Sequence, residues 1–84
     1  MEEAGAEEKL IFETIKKNLL AVVPEVDPKE VSADRSMAEL GCNSIDRAEV
    51  VTLTMEDLKV TVPIVELGRV KDIGTLIDLL RRYL

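Results

Sequence analysis

The chain has 84 residues, 46% of them apolar, with one Phe, one Tyr and no Trp, so a core of Leu, Ile and Val must hold one small domain. Acidic side chains number 17 against 11 basic, and the net charge of −6 opposes a nucleic-acid, polyphosphate or anionic-membrane partner while favouring basic partner surfaces. A lone cysteine, no histidine and no apolar run long enough for a signal sequence or membrane span fit a chain of the reducing cytoplasm with no metal site and no intramolecular disulfide, and a monomer is expected.

Met1–Ala6 is acidic and small, and reads as a frayed end. From about Glu7, the residues Ile11, Ile15, Leu19 and Val22 recur at helical spacing, with Glu13, Lys16 and Lys17 opposite them and a Glu13–Lys17 pair in the favourable order. Pro24 ends this first helix, and Asp27-Pro28 admits at most a short helical turn. Glu25–Cys42 is therefore a long connection, with Val31, Met37 and Leu40 as its candidate anchors. A second helix is predicted from about Ser44 to Lys59. Pro63 suits the first turn of a short third helix, Ile64 to Leu67, which Gly68 closes. The last helix starts after Asp72 as its N-cap, and Ile73, Leu76, Ile77, Leu79 and Leu80 give it a broad apolar side. Gly74, in its first turn, costs about 1 kcal/mol relative to alanine. The expected fold is an all-α bundle, one domain over residues 1–84, with three major helices, one short helix and a long loop between the first and second.

The segment Leu40-Gly41-Cys42-Asn43-Ser44-Ile45-Asp46 carries the chemistry. Asn43 has the side chain to cap the second helix, and Asp46, three residues on, can return its carboxylate to the cap as in a capping box. Ser44 is then the first helical residue. Its hydroxyl lies beside backbone N–H groups at the positive end of the helix dipole, a setting that favours a phosphate ester by about 0.3–1 kcal/mol at an exposed site. An ordinary capped helix with a solvated serine gives the same local pattern.

Ser44, with Leu40-Gly41 before it and Ile45-Asp46 after it, resembles the phosphopantetheine attachment motif of acyl carrier proteins, commonly Leu-Gly-x-Asp-Ser-Leu. The spacing from Ser44 to Pro63, the short helix after that proline and the closing Ile73-Gly74-Thr75-Leu76 helix extend the resemblance over nearly the whole chain. Asn43 stands where most carriers have aspartate, and Ile45 where they have leucine or methionine. The resemblance implies a covalent 4'-phosphopantetheine arm on Ser44, taken from coenzyme A. A magnesium-dependent phosphopantetheinyl transferase would install it, with Ser44 Oγ attacking the pyrophosphate. The longer run Asn43 to Val50, with Val62-Pro63-Ile64-Val65 and Lys71-Asp72-Ile73-Gly74, is similar to the free-standing donor carriers of polyketide β-branching cassettes. Such a carrier gives acetyl, or propionyl, to an enzyme resembling 3-hydroxy-3-methylglutaryl (HMG) synthase. An acyltransferase and a decarboxylating ketosynthase would supply its acyl group. The carrier itself performs no catalysis. An ordinary chain-extension or acceptor carrier, and a helical interaction module with no prosthetic group, are the alternatives.

Projection of the second helix at about 100° per residue puts Ala48, Val51, Met55 and Leu58 on one arc, with Val50 and Thr54 at its edge. By the family's register, Val50, Val51, Thr54 and Leu58 turn inward, and Ile45, Ala48, Thr52 and Met55 lie near the partner side. Period alone would bury Ala48 and Met55. The expected docking set is Asn43, Ile45, Asp46, Arg47, Ala48, Glu49, Thr52 and Met55, with Arg47 the candidate for partner discrimination through a cation close to the modified serine. Cys42 near a helix N-terminus invites reading as a nucleophile, but no histidine exists to activate it. Adjacent carboxylates such as Glu56 and Asp57 do not face one another on a helix and make no acid–base pair.

Overall fold

The computed structural model describes residues 2–84. Four α-helices carry the fold: α1 Glu2–Val22, α2 Ser44–Leu58, α3 Ile64–Leu67 and α4 Ile73–Arg82, with a 3-10 turn at Pro28–Glu30 between α1 and α2. No strand occurs among the described residues.

Ile11, Ile15 and Leu19 form the fully buried stripe of α1, which packs against both α2 and α4. The helix starts at Glu2, ahead of the expected start near Glu7, and so takes in most of the stretch read as frayed. Ala6 favours helix, and no proline stands between it and Pro24 to break the run. Met1 lies outside the described residues. The expected Glu13–Lys17 pair does not form. Lys17 Nζ instead meets Asp57 Oδ2 of α2 at 2.9 Å. Beside it Asn18, 5% exposed, donates through Nδ2 to Thr54 Oγ1 and to Asp57 Oδ2, both at 3.1 Å. Thr54 Oγ1 in turn donates to Val50 O at 2.8 Å, so the buried polar groups between α1 and α2 are paired rather than left dry.

The long connection is pinned by its own apolar residues: Val26, Val31, Met37 and Cys42 are buried, and Leu40 packs against the same core. Asp27 caps the 3-10 turn by accepting from Lys29 N at 3.0 Å. Ser36 and Glu39 close a second small turn, each side chain accepting from the other's backbone N–H. The connection then clamps onto α4, where Ile73 N donates to Arg35 O at 3.0 Å and Gly74 N to Ala33 O at 2.7 Å. A Cβ on residue 74 would lie 3.1 Å from that same Ala33 oxygen, which explains a glycine inside a helix.

Helix α2 stops at Leu58 because Lys59, expected inside the helix, adopts the left-handed conformation (φ 59°), and Val60 N–H turns back to Met55 O at 3.0 Å. Pro63 sits just ahead of α3 as its N-cap, one place earlier than its predicted first-turn position, and Gly68 closes the helix. Ile73, Leu76, Ile77, Leu79 and Leu80 are the buried face of α4. Arg81 of α4 reaches Glu8 Oε2 at 3.0 Å and Glu7 Oε1 at 3.8 Å, joining the end of α4 to α1.

Candidate functional site

The motif is built by a turn that sends neighbouring residues to opposite environments. Cys42 N donates to Met37 O and Gly41 N to Ala38 O, both at 3.0 Å, which folds the chain back on itself. Gly41 holds φ +98°, a conformation that side-chain-bearing residues rarely adopt. After this reversal Cys42 drops into the core at 5% exposed, and Asn43 and Ser44 emerge into solvent.

Asn43 closes both halves of the predicted capping box. Its Oδ1 accepts from Asp46 N at 2.7 Å, and Asp46 Oδ2 accepts from Asn43 N at 3.1 Å. The first intrahelical bond, Arg47 N to Asn43 O, is 2.9 Å. The N–H groups of Ser44 and Ile45 meet no acceptor among the described residues.

Helix α4 starts with an equivalent box, Asp72 accepting from Thr75 N at 2.8 Å and Thr75 Oγ1 accepting from Asp72 N at 3.0 Å. Yet its first two N–H groups, on Ile73 and Gly74, are taken by the carbonyls of Arg35 and Ala33. Of these two boxed helix starts, only the one bearing Ser44 keeps outward donors for an anion, at the positive end of a 15-residue helix. An exposed hydroxyl beside two such donors fits a phosphate ester. The donors and the dipole would hold the phosphate's charge, and the Ser44 oxygen would carry the ester bond.

Cys42 is not an activated nucleophile. Burial pushes its thiol above the ordinary range, the Asp46 carboxylate pushes it further, and Arg47 opposes them more weakly.

Along α2, Val50 and Thr54 are buried, and Val51 and Leu58 pack partly against the core. Ile45, at 77% exposed, stands out with Ala48, Glu49 and Thr52, while Asp46 and Arg47 are half-buried. Met55 is half-buried against the core. Its long flexible side chain fills space at the edge of the bundle, between the burial that helical period gives it and the partner-side placement of the family's register, while Ala48, which period would also bury, is exposed. Two exposed apolar residues escaped the sequence reading, Ile64 at 85% and Val65 at 71%. A one-turn helix has too few residues for a periodic signal, so nothing in the pattern said which way they point. Among the described residues no helix is long and apolar enough to cross a membrane.

The family model described as "Phosphopantetheine attachment site" matches residues 17–80, from the last two turns of α1 to the last turn of α4, with Ser44 inside the match. The chain belongs to the phosphopantetheine-attachment family of acyl carrier proteins. It is similar to the polyketide biosynthesis acyl-carrier-protein AcpK of Bacillus subtilis (strain 168), with 41% identity over 70 residues, 83% of this chain and 85% of that protein. In structure it is similar to a chain in the crystal structure of the Curacin biosynthetic pathway HMG synthase in complex with acetyl donor-ACP. The TM-score is 0.78 at 34% identity, covering 87% of this chain and 94% of that one. Carriers of this family bind 4'-phosphopantetheine and are not catalysts themselves. The all-helical fold of this carrier is the family's fold.

Proposed function

We propose that Ser44 carries the 4'-phosphopantetheine arm, installed by a phosphopantetheinyl transferase, and that the loaded carrier donates acetyl or propionyl to an HMG-synthase-like enzyme in polyketide β-branching. The observation that carries the attachment site is the exposed Ser44 hydroxyl beside the unpaired N–H groups of Ser44 and Ile45, inside the family match. The donor role is supported by the likeness to a chain of a complex between an HMG synthase and an acetyl donor carrier. The polyketide setting is supported by the likeness to AcpK.

When attached, the arm supplies a terminal thiol on which an acyl group rides as a thioester. The chain's own residues hold the site and present it. Asn43 and Asp46 keep the start of α2 rigid, the turn at Gly41 lifts Ser44 clear of the core, and Ile45, Ala48, Glu49 and Thr52 surround it with a mixed apolar and acidic surface. Such a rim suits weak docking with quick release. Arg47 forms no ion pair among the described residues, so its cation is available to an acidic spot on the partner.

The test loads the holo-protein with acetyl and compares its transfer to a β-branching synthase and to a chain-extending ketosynthase. Faster transfer to the synthase is expected, and Arg47→Glu should lower that rate while Ser44 is still modified normally. Preferential transfer to the ketosynthase would assign the protein to chain extension, and an Arg47→Glu variant with wild-type kinetics would remove Arg47 from partner choice.

A further inference from the structure

Helix α3 is the least anchored of the four. It has four residues, none of them buried, and its N-cap Pro63 supplies no side-chain hydrogen bond. It is held by its own last residue, Leu67, which packs partly against the core, and from its flanks by the buried Val62 and by Val70, which also packs partly against the core. Yet it displays two adjacent apolar side chains, Ile64 and Val65, largely to water.

One side-chain hydrogen bond ties α3 to another helix among the described residues. Tyr83 Oη donates to Glu66 Oε2 at 2.7 Å, across 17 positions of sequence. Tyr83 is the C-cap residue of α4, directly after a helix anchored through Leu76, Leu79 and Leu80. Its backbone N–H is fixed to Leu80 O at 3.0 Å. The phenol is therefore a strut from the best-buried helix to the least-buried one, and it ends on an ionised acceptor, the stronger kind of hydrogen bond.

We propose that Tyr83 is a positioning residue: its hydrogen bond to Glu66 holds α3 so that Ile64 and Val65 meet the acyl-accepting synthase in a fixed geometry. The proposal rests on the donor reading above for the identity of that partner, and on the structure alone for the strut. Loss of the strut lets α3 open locally while the α1, α2 and α4 core keeps its contacts.

Hydrogen exchange on the full-length protein tests the strut directly. Tyr83→Phe should speed exchange of the Leu67 and Gly68 amides, whose donors close α3, by about two- to fivefold, with α2 and α4 amides unchanged. Glu66→Ala should do the same, the double variant should add nothing further, and Glu66→Gln, which keeps an acceptor, should restore most of the protection. Acetyl transfer from the holo-protein to the synthase should slow in Tyr83→Phe and recover in Glu66→Gln. Additive single effects, unchanged α3 exchange, or faster exchange with an unchanged transfer rate would each overturn the proposal. If the wild-type protein passed no acetyl to the synthase, the donor reading would fail, and the exchange cycle would still decide whether Tyr83 holds α3.

Discussion

Replacing Asn43 with alanine isolates the half of the capping box that depends on a side chain. The variant loses the 2.7 Å bond from Asp46 N to Asn43 Oδ1 but keeps the 3.1 Å bond from Asn43 N to Asp46 Oδ2, since a backbone group makes the latter. Asn43 is exposed, so water can reach the freed Asp46 N–H, and the cost stays near the usual value for a lost N-cap, about 1 kcal/mol. In a domain of this size each kcal/mol moves the melting temperature by about 4–8 °C. Thermal unfolding of Asn43→Ala should therefore show a drop of about that amount. Asn43→Asp keeps an acceptor in place and adds negative charge at the dipole's positive end, offset by repulsion from Asp46, so its melting temperature should stay close to that of the wild type. Comparing transferase rates on the two variants then separates capping from charge recognition at this position. A melting temperature within 1 °C of the wild type for Asn43→Ala would refute the claim that this cap holds the start of α2.

Two further predictions concern titratable groups. The raised Cys42 thiol, buried and beside Asp46, should react with iodoacetamide at pH 7 far more slowly than a free cysteine, and at the ordinary rate once the protein is unfolded; rapid labelling of the native protein would contradict the buried placement. Tyr83 holds its proton above the ordinary tyrosine range, first because Glu66 accepts its hydrogen bond, with smaller contributions from desolvation and the Glu66 charge. A phenol whose folded pKa is raised contributes stability that is fully present below the unfolded value and lost as pH rises through the folded one. As the sole tyrosine, it should titrate by absorbance with a midpoint above that of a free tyrosine, and the midpoint should fall towards the ordinary value in Glu66→Ala; equal midpoints in both proteins would mean that the hydrogen bond is absent in solution.

The parts of this molecule legible in sequence are those decided over a few residues. Asn43 with Asp46, Asp72 before α4, the 3-10 turn after Asp27 and the buried Val31 and Met37 of the connection all rest on local spacing or on apolar residues in an otherwise polar stretch. What was not legible depends on chain segments brought together from afar. Lys17 passes over Glu13, four residues ahead, for Asp57, 40 residues on, because α1 and α2 pack side by side and Asn18 already draws that carboxylate in. Gly74 reads as a weak point in a helix until Ala33 O is seen against it. The same clamp uses up the first N–H groups of α4, and without it the two capped helices look equally open to an anion. On α2 family register and helical period disagree over Ala48 and Met55, and the packed structure follows the register for Ala48, which is exposed, and leaves Met55 half-buried between the two.

The most direct test of the central claim is the intact mass of the protein after incubation with coenzyme A, magnesium and a broad-specificity phosphopantetheinyl transferase. The wild-type protein should gain the mass of one phosphopantetheine arm, and Ser44→Ala, which leaves the Asn43–Asp46 box untouched, should gain none. An arm that still attaches to Ser44→Ala, or a wild-type chain that stays unmodified with several such transferases, would contradict the assignment.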